Sequence, residues 1–199
     1  MAAAQSSYYI EKPKLFFGGL ILGANFAQID GDQYAGYDKV GWNVGGIVYV
    51  QFWEHVAASM EILYSEKGAK SNGAELTSNG LYITSYGNTL NYAEVPVMIN
   101  FFDKRKSNFG VGLSYGRLAS SKEYINTSPP QLYDQYQYPF KSSDLNFIFG
   151  GSLHLWKGLF LNGRFQYSLT SIRDKIPISA DRSGQYNNMW TIRMMYLFM

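Results

Sequence analysis

Hydrophobic and polar residues alternate along an extended segment near the start of the chain. Between Val40 and Phe52 the even positions carry valine, tryptophan, glycine and phenylalanine, whereas the odd positions are mixed in polarity. A period of two is typical of a β-strand with one apolar face. Strands of soluble proteins usually run about five or six residues, and a strand that crosses a bilayer needs about 9–11. The length of this segment therefore predicts a membrane-spanning strand.

The same alternation recurs along the rest of the chain and predicts eight strands. Their expected ranges are about 14–27, 40–52, 56–70, 89–102, 108–119, 143–156, 159–172 and 189–199. In the fourth strand, Leu90, Tyr92 and Met98 fall on the otherwise polar side. Short connections alternate with long ones, at 30–39, 71–88, 120–141 and 173–188, which are rich in Gly, Ser, Asn, Asp or Pro. An even strand number with short periplasmic turns and longer extracellular loops is typical of outer-membrane barrels.

These patterns predict an all-β protein, an eight-stranded antiparallel up-and-down transmembrane β-barrel. Large apolar residues such as Trp42, Phe147 and Trp190 share one face of the strands, and Gly, Ser, Asn and charged residues occupy the other. Since the interior of an eight-stranded barrel is narrow, we expect the large apolar face to contact lipid. We expect residues 14–199 to form the barrel in the bacterial outer membrane, after a periplasmic N-terminal segment at residues 1–13. Both termini are expected on the periplasmic side.

Composition narrows the classes of function. The 199 residues include no cysteine, which excludes disulfides and thiolate metal sites. Charged residues make up 16% of the chain, against roughly 25% in soluble domains, while aromatic residues reach 17%. The formal net charge of +2 gives no support for a nucleic-acid partner. We expect no cofactor and no metal site.

Three segments carry a resemblance to a known family. They are residues 61–70 (EILYSEKGAK), 90–97 (LNYAEVPV) and 158–167 (GLFLNGRFQY). These segments resemble the PorT-like outer-membrane β-barrel proteins of Bacteroidetes, and the similarity covers about residues 15–199. The resemblance implies a small outer-membrane barrel, usually of unassigned role, with some relatives linked to protein secretion.

Four charged residues are predicted to point into the lumen at similar depth: Glu61, Glu94, Arg164 and Arg193. A lone buried charge is very costly, so we expect them to pair with one another. The set would then be a salt-bridged plug that closes the lumen. A gated path for protons or ions is the alternative reading of the same residues.

Other candidate sites lie on the exterior. The loop at 120–141 holds Tyr124, Tyr133, Tyr136 and Tyr138, and tyrosine gives large contact area in binding loops. A protein partner could therefore bind at the extracellular loops. Arg117 continues the outward row of the fifth predicted strand, where it would contact lipopolysaccharide phosphates or extend to the membrane interface.

The favoured function is non-enzymatic. It is a monomeric barrel with a plugged lumen, structural or partner-binding, or an accessory of a secretion complex; its other contacts are outer-membrane lipid and lipopolysaccharide. The alternative is a narrow conduit or small-ligand-binding barrel. A lipid A-modifying enzyme is disfavoured because His55 and His154 are predicted at the periplasmic end, far from the extracellular rim where such chemistry occurs.

Overall fold

The computed structural model describes residues 16–31, 36–71, 75–76, 82–128, 139–174 and 184–198. Within these ranges no helix is long and apolar enough to cross a membrane. The strands are β1 (Phe16–Asp30), β2 (Lys39–Trp53), β3 (Val56–Ser71), β4 (Glu75–Leu76), β5 (Tyr82–Phe102), β6 (Asn108–Ser128), β7 (Ser143–Trp156), β8 (Leu159–Ser168) and β9 (Tyr186–Leu197). The predicted segment 1–13 lies outside the described residues.

Eight long strands close into an antiparallel barrel, as the sequence predicts. Each long strand pairs with the next long strand along the chain, so β3 pairs directly with β5. The pairing of β1 with β9 closes the barrel. β4 adds only two residues to the edge of β5. Short turns join the strands at one end of the barrel, which we call the short-turn end. The longer connections lie at the opposite end, the long-loop end.

The predicted separation of faces is confirmed along the strands. On β2, Val48 is 45% exposed and its neighbour Tyr49 only 2% exposed. Trp42 and Trp190 are likewise exposed on the outer wall, at 61% and 46%. In a bilayer these outward rows contact hydrocarbon, so the barrel presents an apolar band to lipid.

The lumen is more apolar than the sequence suggests. Leu90, Tyr92 and Met98, which broke the alternation of the fourth predicted strand, are buried inside the barrel. A lower apolar cluster lies near the short-turn end and consists of Ile21, Ile47, Tyr49, Ala57, Leu63, Phe160, Met195 and Leu197. An upper apolar cluster lies near the long-loop end and consists of Ile29, Ala69, Tyr86, Leu90, Tyr92 and Ile172. Large side chains therefore fill the interior wherever the charged residues leave space.

Two strands extend well beyond their predicted ends. β5 begins at Tyr82 instead of about residue 89, and β6 ends at Ser128 instead of about residue 119. The added segments pair with each other, and Asn126 bonds across them: its Nδ2 donates to Ser85 Oγ and its carbonyl accepts from Thr84 Oγ1. The sequence pattern places these segments in loops because Ser, Thr and Asn favour turns. In this hairpin, however, their side chains link neighbouring strands. Residues 82–88 pair with 123–128, and we call the segments 82–88 and 119–128 the β5–β6 arm.

Replacing Val48 by arginine tests which face contacts lipid. Val48 lies near the middle of β2 on the outward row, so Val48→Arg is expected to lower the free energy of unfolding by about 2–4 kcal/mol. Phe52→Arg, outward on the same strand but next to the short turn, should cost about 0–1 kcal/mol. Urea titration in lipid vesicles measures both. Equal losses at the two positions would contradict the proposed depth.

Candidate functional site

Glu61 forms the centre of a buried ion-pair group inside the lower half of the barrel. Arg164 reaches it with two bonds, Nη2 to Oε1 at 2.6 Å and Nη1 to Oε2 at 3.1 Å. Arg193 reaches the same carboxylate at 2.8 Å and 2.9 Å. All three side chains are at most 3% exposed. We call these residues the Glu61 cluster; two guanidinium forks hold one carboxylate in a fixed plane.

Glycines on neighbouring strands make room for the two arginines. Gly23 of β1 is the cross-strand partner of Arg193, and Gly150 of β7 is that of Arg164. A Cβ atom at Gly23 would lie 2.2 Å from the Cβ of Arg193, and one at Gly150 would lie 3.1 Å from the Cβ of Arg164. The missing side chains therefore let both guanidinium groups cross a narrow lumen.

A second group lies closer to the long-loop end. Lys67 Nζ is 2.6 Å from Glu94 Oε1 and 3.1 Å from Asp144 Oδ2, with all three side chains fully buried. Gln166 also donates to Glu94. Asp144 accepts bonds from Ser168 Oγ and Asn187 Nδ2, both at 2.8 Å. We call Lys67, Glu94 and Asp144 the Lys67 cluster.

The predicted set of four charges is divided between these clusters. Glu94 does not lie with Glu61 and the arginines; it is the cross-strand partner of Leu63, two residues above Glu61 on β3. Lys67 and Asp144, absent from the predicted set, complete its surroundings. The Glu61 cluster carries a formal charge of +1 and the Lys67 cluster −1, so the six residues together are neutral.

A charged pair lies at the long-loop end of the lumen, above the upper apolar cluster. Arg173 Nη1 and Nη2 donate to the two carboxylate oxygens of Glu123 at 2.8 Å and 2.7 Å. The Arg173 guanidinium also stacks 3.7 Å above the Phe140 ring. Ile172 next to it is fully buried. Residues 169–174, which follow β8, therefore cover part of the lumen at this end, and a backbone bridge pairs Arg173 with Gln185.

The outer candidate residues are only partly described. Tyr124 lies in the β5–β6 arm, half exposed, where its ring packs against the backbone of Gly87. Tyr133, Tyr136 and Tyr138 lie outside the described residues. Arg117 is exposed on the outer wall and donates to Ser142 Oγ at 3.1 Å.

Both histidines lie at the short-turn end. His55 is in the turn between β2 and β3. His154 Nε2 is 2.6 Å from the carbonyl oxygen of Lys157, which lies in the turn between β7 and β8. The two residues are thus placed where the sequence predicts. Across the described part of the chain, no three His, Asp or Glu side chains gather in a way suited to a metal ion.

The closed wall, the apolar exterior and the charged interior define a membrane-embedded β-barrel. The model of the family described as the outer membrane protein beta-barrel domain matches residues 4–174, and the chain belongs to this family. It is a bacterial outer-membrane barrel. No curated protein matches the chain.

The chain is also similar to several solved structures. The attachment invasion locus protein Ail of Yersinia pestis is 11% identical, with 92% of this chain and 98% of that chain covered and a TM-score of 0.49. CarO of Acinetobacter baumannii is 8% identical, with 90% and 98% covered and a TM-score of 0.45. AlkL, studied in lipid bilayers, is 13% identical, with 100% and 97% covered and a TM-score of 0.42. No functional conclusion follows from similarity at this level.

Proposed function

We propose that this protein is a non-enzymatic outer-membrane barrel with a closed lumen, which acts through its exterior and its extracellular arm. The closure of the lumen carries the proposal. Four groups of buried side chains fill the lumen: the lower apolar cluster, the Glu61 cluster, the Lys67 cluster and the upper apolar cluster. An interior whose six charged residues are neutral as a set, and which is packed with apolar side chains, offers ions no continuous polar path.

Planar-bilayer recording tests the closed lumen. The wild-type protein is expected to insert and to show little or no conductance, because an ion would have to cross both apolar clusters without water. Insertion is checked independently by the heat-dependent shift in gel mobility of the same preparation. Steady channel currents would overturn the proposal and favour the alternative of a narrow conduit.

Buried polar atoms in the lumen support a narrow conduit as the second candidate function. Among the described residues, buried polar atoms near the Lys67 cluster that lack a hydrogen-bond partner include Glu94 Oε2, Ser114 Oγ and Asn146 Nδ2. Buried polar atoms of this kind are commonly satisfied by internal water. A conduit requires such water to continue through both apolar clusters, and the conductance measurement distinguishes local water from a continuous path.

The β5–β6 arm is the proposed partner-binding region. β6 pairs with β7 only as far as Arg117 and continues to Ser128, so this part of the strand extends beyond its pairing with β7. A hairpin that extends beyond the barrel wall presents side-chain and backbone groups to a partner protein. Tyr124 adds aromatic surface on the outward face of the arm.

Replacing the arm tests partner binding. In the variant, residues 124–139 are replaced by a short Gly-Ser linker, which removes Tyr124 and the end of β6 while keeping Glu123, the buried partner of Arg173. We expect proteins that co-purify with the wild type from native outer membranes to be lost with this variant. A matched variant that alters only Glu54 and His55 in a short turn should retain them. Retention by the arm variant would contradict the proposed region.

The remaining parts of the proposal concern orientation and association. The short turns and both termini are assigned to the periplasm, in keeping with the short periplasmic turns of known barrels. Arg117 and the exposed Lys122 then face the lipopolysaccharide leaflet, where their charges suit its phosphates. A monomer is proposed, and a role as accessory of a secretion complex rests on the PorT-like resemblance. A lipid A-modifying enzyme is disfavoured because both histidines lie at the other end.

A further inference from the structure

A groove crosses the outer wall of the barrel near the short-turn end, over β6, β7 and β8. It encloses about 650 Å³. Gly151 and Gly163 are cross-strand partners in its floor. Their other cross-strand neighbours, Phe109 and Ile192, are exposed and flank the floor on either side. The groove therefore opens on the outer, lipid-facing side of the wall.

The depth of the groove comes from the two missing side chains. A Cβ atom at Gly163 would meet nothing within 4 Å, and one at Gly151 would approach the backbone oxygen of Asn108 at 3.1 Å. Phe109 and Ile192 are separated by three interstrand spacings, or about 14 Å at roughly 4.8 Å each. Leu153 and Leu161 also line the groove. A hydrocarbon chain can lie along this floor with apolar contacts on both sides.

The groove ends at a basic turn. Asp103 and Ser107, which bound the β5–β6 turn, belong to its lining. Asp103 Oδ1 accepts the backbone N–H groups of Arg105 and Ser107, each at 2.8 Å, and so fixes the shape of the turn. Lys104 and Arg105 are exposed beside it. The positive charges of Lys104 and Arg105, in the turn that bounds an apolar groove, complement a phosphate group that is attached to acyl chains.

We propose that this groove binds one anionic phospholipid, with an acyl chain over Gly151 and Gly163 and the phosphate at Lys104 and Arg105. The choice of phospholipid over lipopolysaccharide rests on the proposed orientation, which places the short turns at the inner leaflet. The site is separate from the lumen and from the β5–β6 arm. A negative result for this lipid site would leave the expected conductance of the closed lumen unchanged.

Photocrosslinking in vesicles tests the site. The probe is phosphatidylglycerol with a diazirine in its acyl chain, diluted in phosphatidylcholine, and crosslinked peptides are mapped by mass spectrometry. We expect the wild type to be labelled preferentially around Leu153 and Leu161. Gly163→Leu fills the floor and is expected to abolish this preference. Gly46→Leu, at an outward glycine flanked by Leu20 and Ile62 on the opposite wall, should leave it intact.

A second variant probes the headgroup without touching the wall. Lys104→Gln combined with Arg105→Gln, in an exposed turn, is expected to lose the preference for the phosphatidylglycerol probe over a phosphatidylcholine probe with the same diazirine chain. Uniform labelling around the wild-type barrel, or unchanged labelling in Gly163→Leu, would overturn the site. Stronger displacement of the probe by lipopolysaccharide than by unlabelled phosphatidylglycerol would overturn the phospholipid assignment.

Discussion

Glu61→Gln is expected to lower the free energy of unfolding by about 3–5 kcal/mol. The glutamine amide keeps the size of the side chain but removes the only carboxylate that Arg164 and Arg193 contact among the described residues. Two guanidinium groups would then face each other inside the barrel without a counter-ion, and breaking a buried pair on one side costs this much. Urea titration of the protein folded in vesicles measures the loss.

The two arginines provide an internal ranking for the same experiment. Arg164→Met should also lower stability clearly, but by less than Glu61→Gln, because Arg193 still holds Glu61 with two bonds. Arg117→Ala should have little effect, since that side chain is exposed on the outer wall. A wet, weakly coupled lumen would instead give small and similar losses for Glu61→Gln and Arg164→Met, and that outcome would refute the plug.

Period-two alternation was sufficient to predict the strands and their outward faces. The face of the strand that Val48 occupies follows from the residues next to it in sequence, so a short window of the chain is enough to predict it. The inner face was harder to interpret, because Ile21, Ile47 and Tyr49 occupy inward positions whose neighbours are small or polar. Those large side chains are accommodated only by closure of the whole barrel, which no local window represents.

The separation of Glu94 from Glu61 has a similar cause. Counting residues from each turn places the two carboxylates at nearly the same depth, but barrel strands are tilted and staggered relative to one another. The register pairs Glu94 with Leu63, which moves it towards Lys67 and away from Arg164. Lys67 and Asp144 could have been included, since both are charged residues on inward rows. That Lys67 and Asp144 lie beside Glu94, however, cannot be predicted without knowing the stagger of the strands.

The Lys67 cluster should be as sensitive as the Glu61 cluster, with the opposite sign of charge. Lys67→Met retains much of the apolar stem and leaves Glu94 and Asp144 as two buried carboxylates with no cation between them. Repulsion and the loss of the ammonium group are expected to cost about 3–5 kcal/mol in the free energy of unfolding. Lys39→Met provides the control, because the pair of Lys39 and Glu66 is partly exposed and should contribute about 0–1 kcal/mol.

A second substitution distinguishes loss of charge balance from loss of packing. Adding Glu94→Gln to Lys67→Met removes one of the two like charges and returns the six-residue set to neutrality. Asp144 keeps its bonds from Ser168 and Asn187 in the double variant. Because the contacts of the methionine side chain are common to both variants, the double variant should be more stable than Lys67→Met alone if charge balance governs the interior. A double variant that is less stable than Lys67→Met would mean that the other contacts of Glu94, such as the bond from Gln166, outweigh charge balance in this part of the lumen.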